Sequence, residues 1–371
     1  MRLVIFGLTI SSSWGNGHAT IWRGLCRALH ARGHQIVFFE RDVPYYACYR
    51  DETHPRGCDL RLYQEWDEVI AEAEKSVRDA DVAMVTSYCP DGRAAARLVL
   101  DSTAALKVFY DLDTPVTLAR LRDGHSIPYL PEQGLGDFDL VLSYTGGRAL
   151  DELRSTLGAR AVAPLYGSVD ADVHRPVEPD PLFACAMSYL GTFSPDRQDA
   201  LDRLFLETAR RRPDCRFALA GSQYPPEFGW EPNIFYLSHL TPSQHPAFYC
   251  SSGLTLNVTR APMAEMGYCP SGRLFEAAAS GAAILTDSWE GLDYFFEPGS
   301  EVLTAATTEE AMAAVDSPER DRRALGLRAR ERTLDCHTAD RRAADLEQII
   351  ESAGSSAARA PREPAFSISP E

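Results

Sequence analysis

No block of lysine and arginine long enough to grip a nucleic-acid backbone occurs anywhere in this sequence. Its 37 basic residues are outnumbered by 53 acidic ones, for a formal net charge of −16. Affinity for DNA or RNA is driven by clustered cations, so bulk nucleic-acid binding is not expected. Also missing is any run of about 18 apolar residues, which excludes a membrane-spanning helix. Residues 1–7 lack the basic start, longer apolar core and cleavage site of a secretory signal. The nine cysteines never pair as C-x-x-C, which suits reduced thiols better than a disulfide framework or a zinc site. A cytoplasmic location is therefore expected. There is no repeat of fixed period and no G-x-G-x-x-G fingerprint for a dinucleotide.

What is present is alternation. A chain of 371 residues exceeds one ordinary core, so two domains are expected. Short apolar runs alternate with helical patterns from the first residue, the signature of an α/β protein with parallel sheets. In the first half, strands are expected at 3–8, 35–39, 82–85, 106–110, 140–143 and 161–164, with helices at 19–31, 64–78 and 149–157. A stretch rich in proline and acids, 167–181, reads as a linker. The pattern restarts with strands at 184–190, 216–220, 234–237 and 254–258. Helices are expected at 195–211, 246–250, 307–315 and 318–332, besides one beginning at Ser271. The division is a Rossmann-like domain over 1–167, a second over 168–337, a final helix over 338–352 and a disordered tail over 353–371. Two doubly wound sheets would face each other across a cleft, with ligands beyond the carboxyl ends of their strands.

Residues 271–287 carry the most information. Ser271 is placed to cap a helix, Gly281 to end it in the left-handed conformation, and 282–285 to form a buried strand. Glu276 lies among alanines in that helix, where a carboxylate can accept two hydrogen bonds from vicinal hydroxyls such as those of a ribose. It can equally be a solvated glutamate favoured by the helix dipole. Other strand ends also bear chemistry. The loop of Ser13, Trp14, Gly15, Asn16, Gly17 and His18 joins glycines, which let backbone approach a ligand, to a helix start. His18 is a candidate base, or a helix-start residue bonded to nearby backbone. Asp111 and Asp113 share one side of an extended chain, where they suit acceptor hydroxyls, a divalent metal or an Asx turn. Gly191, Thr192 and Arg197 form a strand–glycine–helix turn suited to a diphosphate, with Arg260 and Arg273 as further cations. Glu40, ending the second strand, keeps a dinucleotide-dependent dehydrogenase among the readings.

The stretches YLGTFSPDR (189–197), LNVTR (256–260) and GRLFEAAASG (272–281), continued through residue 301, make the second half resemble the GT-B glycosyltransferases. The resemblance is closer to their CgeB-like (spore maturation protein-like) branch and extends to the group 1, family 4-like transferases. It covers roughly residues 188–303, while the first half matches only in its α/β rhythm and glycine-rich first loop. It implies a nucleotide-sugar donor, a UDP-sugar first of all, as co-substrate, with no cofactor and no metal. Glu276 would hold the donor ribose, while Gly191, Thr192, Arg197, Arg260, Ser271 and Arg273 would surround the diphosphate. The backbone around Tyr236 to Leu240 would meet the base, with Tyr236 and Leu237 as its donor-binding residues. The first glutamate of the Glu-x7-Glu pair found in retaining relatives falls on Tyr268, a departure from that pattern.

The implied reaction is transfer of a sugar, with retention, to an unidentified acceptor hydroxyl or amine. His18, Asp111 and Asp113 would act at the acceptor, held by the 13–17 loop. Cations and helix amides would stabilise the leaving diphosphate, and the final helix would cross back onto the first domain. A nucleotide-sugar 2-epimerase using His18, Asp111 and His239, or an inactive GT-B-like binding subunit, are the competing readings. Oligomeric state is not written in any motif.

Overall fold

Alternate residues of the first strand enter two different cores, and that alternation places a sheet between two helical layers. Leu3 and Ile5 pack with Trp22 and Phe38, whereas Val4 and Phe6 pack with Phe39 and Val85 on the other face. Strands buried on both faces in this way are those of a parallel sheet. The computed structural model describes residues 1–357. Its first sheet comprises β1 (Arg2–Gly7), β2 (Gln35–Arg41), β3 (Asp59–Tyr63), β4 (Val82–Thr86), β5 (Leu106–Asp111), β6 (Leu140–Ser143) and β7 (Val162–Pro164). Their order is β3-β2-β1-β4-β5-β6-β7, parallel throughout. The second comprises β8 (Met187–Leu190), β9 (Phe217–Ala220), β10 (Ile234–Leu237), β11 (Thr255–Asn257), β12 (Ile284–Thr286) and β13 (Leu303–Thr304). It too is parallel, in the order β10-β9-β8-β11-β12-β13. The α/β architecture with two Rossmann-like units expected from the sequence is thus observed.

In each sheet the strand order reverses once, between β1 and β4 in the first and between β8 and β11 in the second. Such switch points are where open α/β sheets leave a crevice for ligands. The chain enters the second unit and leaves it side by side. The Val169 amide donates to the His337 carbonyl at 3.0 Å, and the Ala339 amide to the Val169 carbonyl at 2.8 Å. The final helix, Ala339–Ala357, packs on the His18–Ala31 helix of the first unit. Ala343, Leu346 and Ile350 share a core with Trp22, Leu25 and Leu29.

Several elements differ from the sequence expectation. The 195–211 segment is not one α-helix: a 3-10 turn at Pro195–Arg197 and a π turn at Asp202–Leu206 interrupt it. β3 and β13 were not expected, nor were the helices Gly92–Leu100, Thr114–Arg122 and Ala261–Met266. Residues 353–357, read as tail, continue the last helix. Their sequence lacks apolar periodicity, but the helix already running to Ile350 propagates through them, since extension costs far less than nucleation. The remainder of the expected tail, 358–371, lies outside the described residues.

Candidate functional site

The carboxyl ends of the two sheets enclose a cleft of about 480 Å³. Most residues singled out in the sequence line it: Ser13, Gly15, Asn16, Gly17, His18 and Asp113 from the first unit, and Gly191, Thr192, Arg197, Arg260, Ser271, Arg273 and Glu276 from the second. Trp14, Asp111, Tyr236 and Leu237 are not in its wall. Trp14 stacks on Tyr49 instead, ring centroids 3.8 Å apart. The Tyr236 hydroxyl donates to the Gly221 carbonyl at 3.0 Å, and of the 236–240 stretch expected near the base it is His239 and Leu240 that line the cleft.

On the first-unit side, much of the glycine-rich loop is held by its own contacts. Asn16 Oδ1 accepts from the amides of His18 (3.0 Å) and Ala19 (3.3 Å), capping the helix that starts there. Ser13 is bound through its amide and hydroxyl to Asp51, each at 2.9 Å. Glu40, fully buried, accepts from Thr9 Oγ1, the Ile10 and Ser11 amides and Ser11 Oγ at 2.5–3.0 Å. Its oxygens are committed to folding this loop, so it has none left for the ribose of a dinucleotide, and the dehydrogenase reading fails. His18 borders the cleft with Nδ1 unpartnered, and burial pushes its imidazole below the ordinary range against the upward pull of Asp113. Asp111 is completely buried, its carboxyl pushed up to about 6 mainly by desolvation, while Oδ1 accepts from the Asp113 amide at 3.0 Å. Asp113 alone of the pair reaches the cleft, where Oδ2 lies 3.7 Å from Arg260 Nη1.

On the second-unit side three arginines ring the ends of β8 and β11. Arg260 Nε donates to Asp196 at 2.8 Å, so this guanidinium joins carboxylates from both units. Arg273 is locked by bonds to the Leu190 carbonyl and, at 2.9 Å, to Asn257 Oδ1, with its guanidinium over the Tyr189 ring. Arg197 donates to the Thr192 carbonyl at 3.1 Å and keeps a buried Nε without a partner. The Gly191 amide donates to the Ala220 carbonyl at 2.8 Å, because the chain there continues the sheet ladder. Ser271 likewise makes no side-chain cap; its carbonyl accepts from the Leu274 amide. Gly272 and Arg273 begin the helix at the cleft wall, where amides have no partner within the helix.

Glu276 rises from that helix into the cleft, its side chain 12% exposed. Burial opposes its charge, but His174, His245 and Arg273 hold the carboxyl down to about 2. His174 itself is pushed down to about 4 by desolvation, against the pull of Glu276. At neutral pH the arrangement is an ionised carboxylate beside a neutral imidazole. Neither His174 nor His245 was singled out in the sequence. His174 sits in the proline-rich stretch read as a linker, and His245 is the first residue of the short His245–Cys250 helix, without any spacing that marks it. Tyr268, at the position of the first glutamate of the Glu-x7-Glu pattern, is outside the cleft wall, at positive φ (46°), with its ring against Gly147 and Gly291.

A family model described as glycosyl transferase-like matches residues 197–348. Among solved structures, sucrose-phosphate synthase from Thermosynechococcus elongatus superposes with a TM-score of 0.67 at 13% identity, over 96% of this chain and 99% of that one. Anabaena HepE in complex with UDP and glucose gives 0.65 at 11%, over 95% and 100%. An alpha-glucosyltransferase in complex with UDP and mismatched DNA gives 0.65 at 14%, over 95% and 99%. The fold is GT-B. No protein of curated function matches by sequence. In GT-B terms, β8 to β13 form the half that contains the matched family region, and the cleft lies between the two halves. Among the described residues no helix is long and apolar enough to cross a membrane.

Proposed function

We propose that this chain is a glycosyltransferase, CgeB-like within the GT-B fold, that takes a UDP-sugar as donor. The observation that carries the reading is Glu276: an ionised carboxylate at the floor of an interdomain cleft, one helical turn from Arg273 and below the open start of its helix. A carboxylate of this kind accepts from both hydroxyls of a ribose, and a helix start with flanking guanidinium groups suits a diphosphate. The UDP and UDP-glucose present in the HepE and alpha-glucosyltransferase complexes support a hexosyl-UDP donor. Arg197, Arg260 and Arg273 would neutralise the departing diphosphate without a metal, and the sugar would transfer with retention. His18, neutral at the cleft edge, and Asp113 face the acceptor side. Thr192 and Ser271 supply hydroxyls beside the diphosphate, and the 13–17 loop shapes the acceptor entrance.

Incubation with UDP-glucose and candidate acceptors, read as release of UDP, tests the reading together with a thermal-shift titration. UDP at about 100 times its dissociation constant should add about 2.7 kcal/mol of stability. Glu276→Ala should lower UDP affinity by roughly ten- to 100-fold, the loss of hydrogen bonds to a charged group. Unchanged UDP affinity in that variant would remove the assignment. UDP binding without turnover on any acceptor would leave a binding subunit.

A further inference from the structure

Below the cleft floor, three donor atoms face one another across a gap. His174 Nε2 is 3.4 Å from His245 Nδ1, His245 Nδ1 is 3.6 Å from Glu276 Oε2, and His174 Nε2 is 4.0 Å from Glu276 Oε1. His245 Nε2 lies 3.3 Å from the Leu240 carbonyl. Nδ1 of the same ring is the atom that faces the carboxylate. His174 is 3% exposed and its Nδ1 has no hydrogen-bond partner.

The ligand atoms of the three residues lie within 4.8 Å of one another. Separations of this size surround a cation held by nitrogen and oxygen at about 2.0–2.2 Å. Two imidazoles and a carboxylate suit zinc-class ions, whereas magnesium demands oxygen ligands. The Leu240 carbonyl already supplies the outer contact that fixes the tautomer of a ligating histidine. We propose that His174, His245 and Glu276 bind a zinc-class divalent cation at the cleft floor, in alternation with the donor ribose. The alternation rests on the reading of Glu276 as the ribose ligand; the metal site does not.

Cobalt(II), titrated into the metal-stripped full chain, is the probe. It should give one equivalent of a visible d–d band that zinc bleaches, without the near-ultraviolet charge transfer that ligation by a cysteine would add. His174→Ala and His245→Ala, each checked for a native circular dichroism spectrum, should weaken cobalt binding at least roughly tenfold. Glu276→Gln, which keeps the side-chain shape, should do the same and covers the case in which a histidine variant fails to fold. No band, a thiolate band alone, or a band unmoved in the variants that fold would overturn the site. UDP should raise the apparent cobalt dissociation constant. If both bind and neither affects the other, the alternation is wrong and the metal site stands. If UDP fails to bind the metal-free chain, the donor reading falls while the cobalt result is untouched.

Discussion

Asp111 ends β5 with its carboxyl sealed from solvent and Oδ2 without a partner, while Oδ1 holds the Asp113 amide. The proton is bound more tightly in the folded chain, near pH 6, than at the ordinary 3.8. Its neutral form therefore contributes fully below about pH 4, and that contribution is lost as pH rises through 6. Above pH 6 the buried charge costs up to about 3 kcal/mol, the free-energy equivalent of that gap. Asp111→Asn, which keeps the Oδ1 acceptor, should raise stability at pH 7.5 by as much as that. The gain should vanish near pH 4 in chemical denaturation measured across pH. Sequence position placed Asp111 beside Asp113 as an equal partner. Only the three-dimensional path shows that one of the two turns inward to order the strand end while the other meets Arg260.

At the scale of elements, the loop between β1 and its helix is built around Glu40, which gathers two amides and two hydroxyls from residues 9–11. Glu40→Gln would point an amide donor at some of those donors. It should cost about 3 kcal/mol through buried groups left unsatisfied, seen as a lower midpoint in urea. Much of this architecture was legible. The 271–287 segment spells its own helix, stop and strand, and Gly281 does take positive φ (81°) after the Gly272–Ala279 helix. β3 was illegible because Asp59–Tyr63 lies at a sheet edge with only Tyr63 buried, so no apolar run marks it. The cations at the strand ends could be read from Arg197, Arg260 and Arg273 in sequence. The two histidines beneath Glu276 could not, since their meeting depends on how a proline-rich crossing packs against the His245–Cys250 helix.

The two halves touch across the cleft at several points. Arg260 meets Asp113, Gln223 Nε2 donates to the Tyr45 hydroxyl at 2.6 Å, and Trp14 approaches His239. Tyr268 bears on Gly147 of the first half. The last helix binds the halves more firmly, with Leu346 1% exposed against the Trp22 face. Leu346→Ala should cost about 3 kcal/mol by emptying that contact, and calorimetry should show the loss in the transition that includes the first half. Arg32 and His34 also hold Glu347 of this helix, at 2.5 Å in the case of His34. The first half is therefore discontinuous in the chain, and this has a bearing on its birth. A ribosome extends a polypeptide at about 5–20 residues per second, and N-terminal domains generally begin folding first. Here the amino-terminal half emerges with one apolar flank bare and keeps it bare while the whole carboxyl-terminal half is translated. Only when residues near Ile350 clear the exit tunnel does its missing wall arrive, so completion of the first half waits on synthesis of the second.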